Sequence, residues 1–238
     1  MIPKIIHYCW FGHNKKSRLI LKCINSWKRL CPDYQIIEWN EEKFDVNSCL
    51  YTKEAYLQKK WAYVSDYVRF YVLNQYGGVY LDTDVQLIKP IEQLIKKGKF
   101  LGFAREDIVA TGLIMATKAN DWLCQEVLKT YEKETFEWTS PEEIVAIGRR
   151  VTAILVGHGL KCNGKLQEVC DYTIYPKYYF NPTDGDKYIK IDERAYSVHH
   201  YAATWFPTHK RISNTIKRYI GQKNLKIYYK IKNRIKRT

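Results

Sequence analysis

Hydrophobic residues recur along the chain with two alternating periods, that of a β-strand and that of an α-helix. Short apolar or β-branched runs predict strands, and a spacing of three to four residues predicts helices. The predicted strands are 4–10, 34–39, 79–81, 100–103 and 113–116. The predicted helices are 15–30, 52–76, 120–134 and 140–156. Strands that alternate with helices indicate an α/β sheet that is parallel for the most part.

Local signals mark the ends of two predicted helices. Thr52 is a plausible N-cap for the long helix, and Gly77-Gly78 ends it. Ser140 and Glu143 have the spacing of a capping box. The strand at 79–81 therefore follows the long helix directly.

Two acids stand one residue apart at the end of that strand, in the stretch GGVYLDTDV at residues 77–85. In α/β sheets ligands gather at the carboxyl ends of strands, which is where Asp82 and Asp84 are expected. A solvated turn is the alternative, since Asp is common in turns. Two carboxylates at this spacing can instead hold a hard divalent ion and leave coordination positions open for phosphate oxygens.

The long helix carries Ser65, Asp66 and Arg69 in the stretch AYVSDYVRF. Asp66 and Arg69 are three residues apart, so they share a helix face. An exposed intrahelical ion pair is the alternative, and it would contribute a few tenths of a kcal/mol. Most neighbouring residues are apolar or aromatic, and this favours a charged pair at the edge of a pocket.

The formal net charge of +14 is concentrated at the carboxyl end of the chain. Residues 211–238 contain ten Lys or Arg and no acid, and removing them leaves +4. The body and this segment therefore need separate explanations. We expect a catalytic domain at 1–207 and a basic amphipathic tail at 208–238.

The composition and the first residues of the chain indicate the cellular compartment of the protein. No apolar run approaches the roughly 20 residues that span a bilayer, and the first residues lack the features of a signal peptide. The seven cysteines are scattered without a CxxC pair and are expected to be reduced and mostly buried. These features predict a cytoplasmic protein.

Three ordered motifs together resemble glycosyltransferase family 32, a family of retaining sugar transferases. They are IPKIIHYCWFG near the start, SDYVR with YGGVYLDTDV in the middle, and YPKYYFNP with VHHYAATW near the end. The resemblance covers residues 2–207. It implies a GT-A fold, which is a Rossmann-like, mixed and mostly parallel sheet flanked by helices. It also implies a nucleotide-sugar donor (UDP-hexose favoured), Mn²⁺ or Mg²⁺, and a glycan or lipid-linked acceptor in surface polysaccharide synthesis.

The resemblance also implies roles for the residues of the first two motifs. Trp10 would stack on the nucleotide base, although a core tryptophan is the alternative. Asp66 and Arg69 would grip the donor sugar and diphosphate with Ser65 beside them, and Tyr80 would pack near the donor. Asp82 would contact the ribose or sugar through the metal, and Asp84 would be the more direct metal ligand.

The last motif is expected to complete the site. His200 lies five residues before Trp205, the spacing that the resemblance assigns to a metal ligand, so His200 is chosen over His199. Imidazole suits manganese better than magnesium. Trp205 and Thr204 would contact the phosphates. The family often has Gly-Ser before this tryptophan, and Ala203-Thr204 stand there instead.

The basic tail has its own pattern. Isoleucines recur mostly at four-residue steps among lysines and arginines, which predicts two short basic amphipathic helices. Such helices lie on anionic membrane surfaces, so residues 211–238 are expected to dock the protein on the inner face of the cytoplasmic membrane. Packing of the isoleucines on the body is the alternative. Nucleic-acid binding is not expected, because no reading motif accompanies the charge.

Two rival functions fit parts of the sequence. A haloacid-dehalogenase-type, Mg-dependent phosphatase also uses D-x-D after a strand, but it needs Thr where Gln86 stands. A non-enzymatic basic protein of the membrane surface would make the acids structural. That second rival predicts no metal-dependent binding of nucleotides.

Overall fold

The computed structural model describes residues 1–138, 147–182 and 191–202, which form strands and helices in alternation. The strands in chain order are β1 (Ile5–Cys9), β2 (Gln35–Trp39), β3 (Gly78–Tyr80), β4 (Val85–Leu87), β5 (Lys99–Arg105), β6 (Ile108–Val109), β7 (Met115–Thr117), β8 (Gln167–Val169), β9 (Tyr172–Tyr175) and β10 (Ser197–His199). The helices are α1 (Arg18–Leu30), α2 (Leu50–Leu57), α3 (Trp61–Tyr76), α4 (Glu92–Lys97), α5 (Trp122–Tyr131) and α6 (Ile147–Gly157), with a 3₁₀ turn at Lys177–Tyr179.

Eight of the described strands form one mixed sheet. Its order is β2-β1-β3-β7-β5-β9-β8, and β6 pairs with β5. The strands β2, β1, β3, β5 and β9 run in one direction, and β7, β8 and β6 run against them. A separate antiparallel ladder joins β4 to β10. The prediction of a mixed, mostly parallel sheet is confirmed.

Helices cover both faces of the sheet, as the alternation of side chains along β3 shows. Tyr80 belongs to the hydrophobic cluster beneath α3 and α5, whereas Val79 and Leu81 belong to the cluster beneath α1 and α4. Neighbouring residues of a strand point to opposite faces, so β3 is buried on both sides. Its carboxyl end then delivers Asp82 to the edge of the sheet.

The long predicted helix is two helices, which corrects the prediction of one helix over 52–76. The chain turns at Lys59, which has the positive φ of a left-handed residue, and the Lys60 N–H donates to the carbonyl of Ala55. This pattern ends α2 in the manner of a Schellman motif. Thr52 lies inside α2, and its hydroxyl donates to the carbonyl of Val46 instead of capping a helix.

The other helices are close to the predicted positions. Ser17 caps α1 through its side chain, and Asp121 caps α5 with bonds to two backbone amides. The predicted capping box at Ser140 and the basic tail at 208–238 lie outside the described residues, as does the boundary between the two predicted units. Among the residues that the structure describes, no helix is both long and apolar enough to cross a bilayer.

All seven cysteines are free thiols, as predicted. Four of them are buried, and Cys49 is partly buried. Cys162 and Cys170 are exposed.

Candidate active site

The two acids of the Asp-Thr-Asp motif occupy the turn that joins β3 to β4. The Asp82 N–H donates to the carbonyl of Gly112, and the Asp82 carbonyl accepts from the N–H of Val85. About a third of the Asp82 side chain is exposed, whereas only 13% of the Asp84 side chain is. The motif is therefore not a freely solvated turn.

Asp84 is held by the segment that follows β10. The Ala202 N–H donates to Asp84 Oδ2 at 2.7 Å, and His199 Nε2 lies 3.0 Å from Asp84 Oδ1. Burial acts to raise the pKa of Asp84, but His199 and the Ala202 amide outweigh burial and lower that pKa. The carboxylate is therefore kept ionised and fixed in direction.

Asp82, Asp84 and His199 form a cluster that could hold a metal ion. Each offers a ligand atom, and these atoms all lie within 4.8 Å of one another. Two carboxylates and one imidazole are donors that suit Mn²⁺, and the carboxylates also suit Mg²⁺. The donor set therefore fits the divalent ion that the motif predicts.

The structure places His199, and not the predicted His200, beside the two aspartates. His200 Nε2 lies 3.0 Å from Gln86 Oε1, on the other side of the β4–β10 ladder. Consecutive residues of an extended segment point in opposite directions. The geometry therefore favours His199 over His200 as the third candidate ligand beside the two aspartates.

Arg69 is the buried cation at this edge of the sheet, with only 5% of the residue exposed. Its Nη2 lies 2.7 Å from Asp66 Oδ1 and 3.4 Å from Asp82 Oδ1. Its Nε donates to the carbonyl of Ser65, and the guanidinium lies 4.8 Å above the Tyr80 ring. The predicted pair Asp66–Arg69 is thus linked to the Asp-Thr-Asp motif and is not an exposed surface pair.

The electrostatics of this group follow from its burial. Burial acts to lower the pKa of Arg69, but its neighbours, with Asp82 first and Asp66 among them, raise it. Burial raises the pKa of Asp66 to about 7, although the Arg69 guanidinium works to lower it. Arg69 is therefore permanently charged, and two carboxylates share its charge.

The remaining predicted donor residues take different positions. Trp10 follows the carboxyl end of β1, the same edge as Asp82 because β1 and β3 are parallel. It is half-buried, its indole N–H donates to the carbonyl of Asn14, and Lys16 Nζ lies 5.2 Å above its ring. Tyr80 is fully buried beneath Arg69. The Ser65 hydroxyl donates to the carbonyl of Trp61 in its own helix.

Thr204 and Trp205 lie outside the described residues, so their predicted contacts with phosphate stay predictions. The role of each donor-binding residue likewise stays a prediction.

Two residues of the site were not predicted. Thr111 is buried, and its Oγ1 accepts from Arg69 Nη1 at 3.3 Å. Gly112 packs against Asp82 so closely that a Cβ there would lie 1.9 Å from Asp82 Oδ2. Both lie in the segment before β7, and a Thr-Gly pair next to a strand is the only signal that the sequence carries for them.

A comparison with protein families finds a match over residues 17–101. The matching model is described as a glycosyltransferase sugar-binding region containing a DXD motif. The matched segment includes Asp66, Arg69, Asp82 and Asp84.

Curated relatives come from two yeasts. Inositol phosphoceramide mannosyltransferase 1 of Schizosaccharomyces pombe is 30% identical over 128 residues, which are 51% of this chain and 37% of the relative. Mannosyl phosphorylinositol ceramide synthase CSH1 of Saccharomyces cerevisiae is 30% identical over 112 residues, which are 42% of this chain and 28% of the relative. The aligned part thus spans roughly a third of the length of these relatives.

Two solved structures with a related arrangement are also named as glycosyltransferases. One is a glycosyltransferase involved in the glycosylation of the major capsid of PBCV-1, with a TM-score of 0.48, 14% identity and coverage of 90% of this chain and 100% of that one. Another is the PaToxG glycosyltransferase, with a TM-score of 0.46, 19% identity and coverage of 66% and 72%. The family match and the mannosyltransferase relatives confirm the predicted resemblance: residues 17–101 of this chain are similar to a glycosyltransferase sugar-binding region that contains a DXD motif.

Proposed function

We propose that the chain transfers a hexose from a nucleotide-diphosphate sugar to a hydroxyl of a glycan or lipid-linked acceptor, with retention of the anomeric configuration. One observation carries the proposal. The buried guanidinium of Arg69 and the cluster of Asp82, Asp84 and His199 meet at a shared carboxylate, that of Asp82. A fixed cation beside a metal-type ligand set suits a substrate with a diphosphate group.

Different residues of the site would bind the metal ion and stabilise the leaving group. Asp82, Asp84 and His199 would hold Mn²⁺ or Mg²⁺, and such an ion neutralises charge on a departing diphosphate. Arg69 offers a second, permanent positive charge with no reorganisation during the reaction. Asp66 and Thr111 hold the guanidinium in place.

Retention follows from the family resemblance. In the front-face route, the acceptor hydroxyl attacks from the side that the diphosphate leaves, and the leaving phosphate takes the hydroxyl proton. In this chain Arg69 would keep that phosphate close to the sugar while the new bond forms. Trp10 would contact the base at the same edge of the sheet.

Two donors are candidates. The sequence favours a UDP-hexose, whereas the curated relatives are named as mannosyltransferases. The relatives are also named for inositol phosphoceramide, which adds a phosphate-bearing lipid to the acceptors to be tested beside capsule and lipopolysaccharide precursors. A cytoplasmic protein docked on the membrane through residues 211–238 could reach such acceptors.

Donor hydrolysis with Mn²⁺ across UDP- and GDP-sugars tests the proposal. We expect one donor to release free sugar and nucleoside diphosphate, and Asp84→Asn to reduce that rate by about 100-fold or more. The matched control is Asp33→Asn, since Asp33 is exposed and pairs with Lys4 at the amino end of β1, opposite the site. Equal turnover by Asp84→Asn and the parent would overturn the assignment. Hydrolysis of simple phosphate esters without sugar release would favour a phosphatase.

A further inference from the structure

A second group of reactive side chains lies at the opposite edge of the sheet. Cys170 occupies the turn between β8 and β9, at the amino end of β9, whereas the candidate active site follows the carboxyl ends of β1 and β3. Its Sγ lies 3.9 Å from His158 Nδ1, and His158 Nε2 lies 3.0 Å from Glu126 Oε1. The imidazole of His158 thus contacts the thiol through one nitrogen and the carboxylate through the other.

The hydrogen bonds set the direction in which a proton can move. The Glu126 carboxylate can only accept when ionised, so His158 Nε2 must carry the proton of that bond. In the neutral ring His158 Nδ1 is then an acceptor, and it faces the Cys170 thiol. A base next to a nucleophile, oriented by a third group, is the arrangement that activates thiols in enzymes.

The turn that carries Cys170 is anchored to a buried charged network. Asp171 accepts from the Trp122 indole N–H and pairs with Lys99, which is 7% exposed and also binds Asp121. The Trp122 ring packs on His158, with 4.5 Å between the ring centroids.

The backbone conformation at Cys170 also indicates that the turn is held in a fixed geometry. Cys170 has φ of 53°, a left-handed conformation that is uncommon for residues other than glycine. The charge of the adjacent residue, Asp171, is offset by Lys99 at 2.6 Å. The thiol is exposed to solvent, so a small reagent can reach it.

We propose that Cys170, His158 and Glu126 form a thiol-reactive site that exchanges with low-molecular-weight disulfides. The Cys170 S–H bond breaks as His158 Nδ1 takes the proton. The thiolate attacks one sulfur of the disulfide, a mixed disulfide forms, and the other half leaves as a thiolate that takes the proton from His158. The net products are Cys170 mixed disulfide and one free thiol. This site is independent of the proposed sugar transfer.

The chain contains its own matched control, because Cys162 is also exposed and no histidine hydrogen-bonds to it among the described residues. The full-length protein is treated with oxidised glutathione at pH 7, quenched with acid and digested. The mixed disulfides at residues 162 and 170 are then quantified by mass spectrometry. We expect Cys170 to react about tenfold faster than Cys162, because only Cys170 has an imidazole base beside its thiol to take the proton as the sulfur attacks.

Two variants separate activation from simple exposure. His158→Gln removes the base, and the Cys170 rate should fall to that of Cys162. Glu126→Gln keeps the imidazole but loses the orienting charge. The Cys170 rate in this variant should therefore lie between that of the parent and that of His158→Gln. Both side chains are at least a third exposed, and melting temperatures will verify that both variants fold. Equal rates at the two cysteines of the parent, or an unchanged Cys170 rate in His158→Gln, would overturn the proposal. Sugar-donor hydrolysis is measured in parallel, so that failure of one site is distinguished from failure of the other.

Discussion

Gly112 and Asp82 pack so closely that a methyl group on Gly112 would lie 1.9 Å from Asp82 Oδ2. The same methyl would lie 3.1 Å from Arg69 Nη1. Gly112→Ala must therefore displace the carboxylate that links the guanidinium to the metal-type cluster. We expect donor hydrolysis to fall by about 100-fold, since small misplacements at a reacting centre have effects of this size.

Gly157→Ala is the matched control for this prediction. Gly157 ends α6, and a Cβ there would meet nothing within 4 Å. Alanine favours helix over glycine by about 0.5–1 kcal/mol, so this variant should keep its activity, and its melting temperature should not fall. Normal hydrolysis by Gly112→Ala would show that the position of Asp82 does not matter for the reaction.

The two adjacent histidines give opposite predictions for metal binding. His199 lies beside Asp84, whereas His200 contacts Gln86. His199→Ala should weaken Mn²⁺ binding by at least about tenfold, the range seen when groups that hold or orient a metal are lost. His200→Ala should change the affinity for Mn²⁺ little. Calorimetric titration of Mn²⁺ in the presence of UDP measures both, and a larger loss in His200→Ala would restore the ligand that the sequence alone favoured.

Arg69 is expected to act through its geometry as well as its charge. It donates to Asp66, Thr111 and the Ser65 carbonyl, and lysine cannot reproduce this planar set of donors. Arg69→Lys should therefore lower kcat of donor hydrolysis by about 100-fold. Arg69→Met should also destabilise the fold by about 3 kcal/mol or more, because it leaves buried carboxylates without a partner. Arg105→Lys is the control, because Arg105 is exposed and pairs with Asp107; a kcat within twofold of the parent for Arg69→Lys would contradict this role.

The basic tail is predicted to bind anionic membranes. The parent should bind vesicles that contain anionic lipid, and binding should weaken as salt is raised. Deletion of 211–238 should abolish it, whereas neutral vesicles should bind neither protein. Unchanged binding after deletion would exclude the tail as the membrane contact, and a large drop in melting temperature would favour its packing on the body.

Local motifs made half of the site predictable from sequence. Asp82 and Asp84 follow an apolar strand, and Asp66 and Arg69 share one helix face, so spacing alone brings each pair together. The choice between His199 and His200 depends on the phase of the short strand β10, and a shift of one residue reverses every side chain. Sequence spacing does not reveal that phase.

Contacts between distant segments account for the rest. Thr111 and Gly112 lie beside Arg69 although 42 or more residues of chain separate them from it. No local sequence pattern predicts such a contact. The break between α2 and α3 was also missed, because the left-handed residue there is Lys59 and not the glycine that usually marks a helix end.

His7 makes the stability of the fold depend on pH. It is fully buried in β1; its Nε2 donates to the carbonyl of Gly77 at 2.8 Å, and its Nδ1 accepts from the Trp39 indole at 3.0 Å. These partners suit only the neutral ring, and burial lowers the pKa of His7 to about 4. The unfolded chain takes up this proton near pH 6.5, so the stabilising contribution is complete above pH 6.5 and is lost as the pH falls towards 4. The loss should total about 3 kcal/mol.

Urea denaturation between pH 4 and pH 8 measures this loss when the parent is compared with His7→Gln. The variant should be less stable at pH 8, because the Trp39 N–H loses its acceptor, but the difference between the two proteins should shrink as the pH falls. Asp66 works in the opposite direction, since its raised pKa stabilises the fold as the pH falls from about 7, and it does so in both proteins. Taking the difference removes that contribution. A difference that stays constant from pH 8 to pH 4 would mean that His7 is protonated as readily in the folded chain as in the unfolded one.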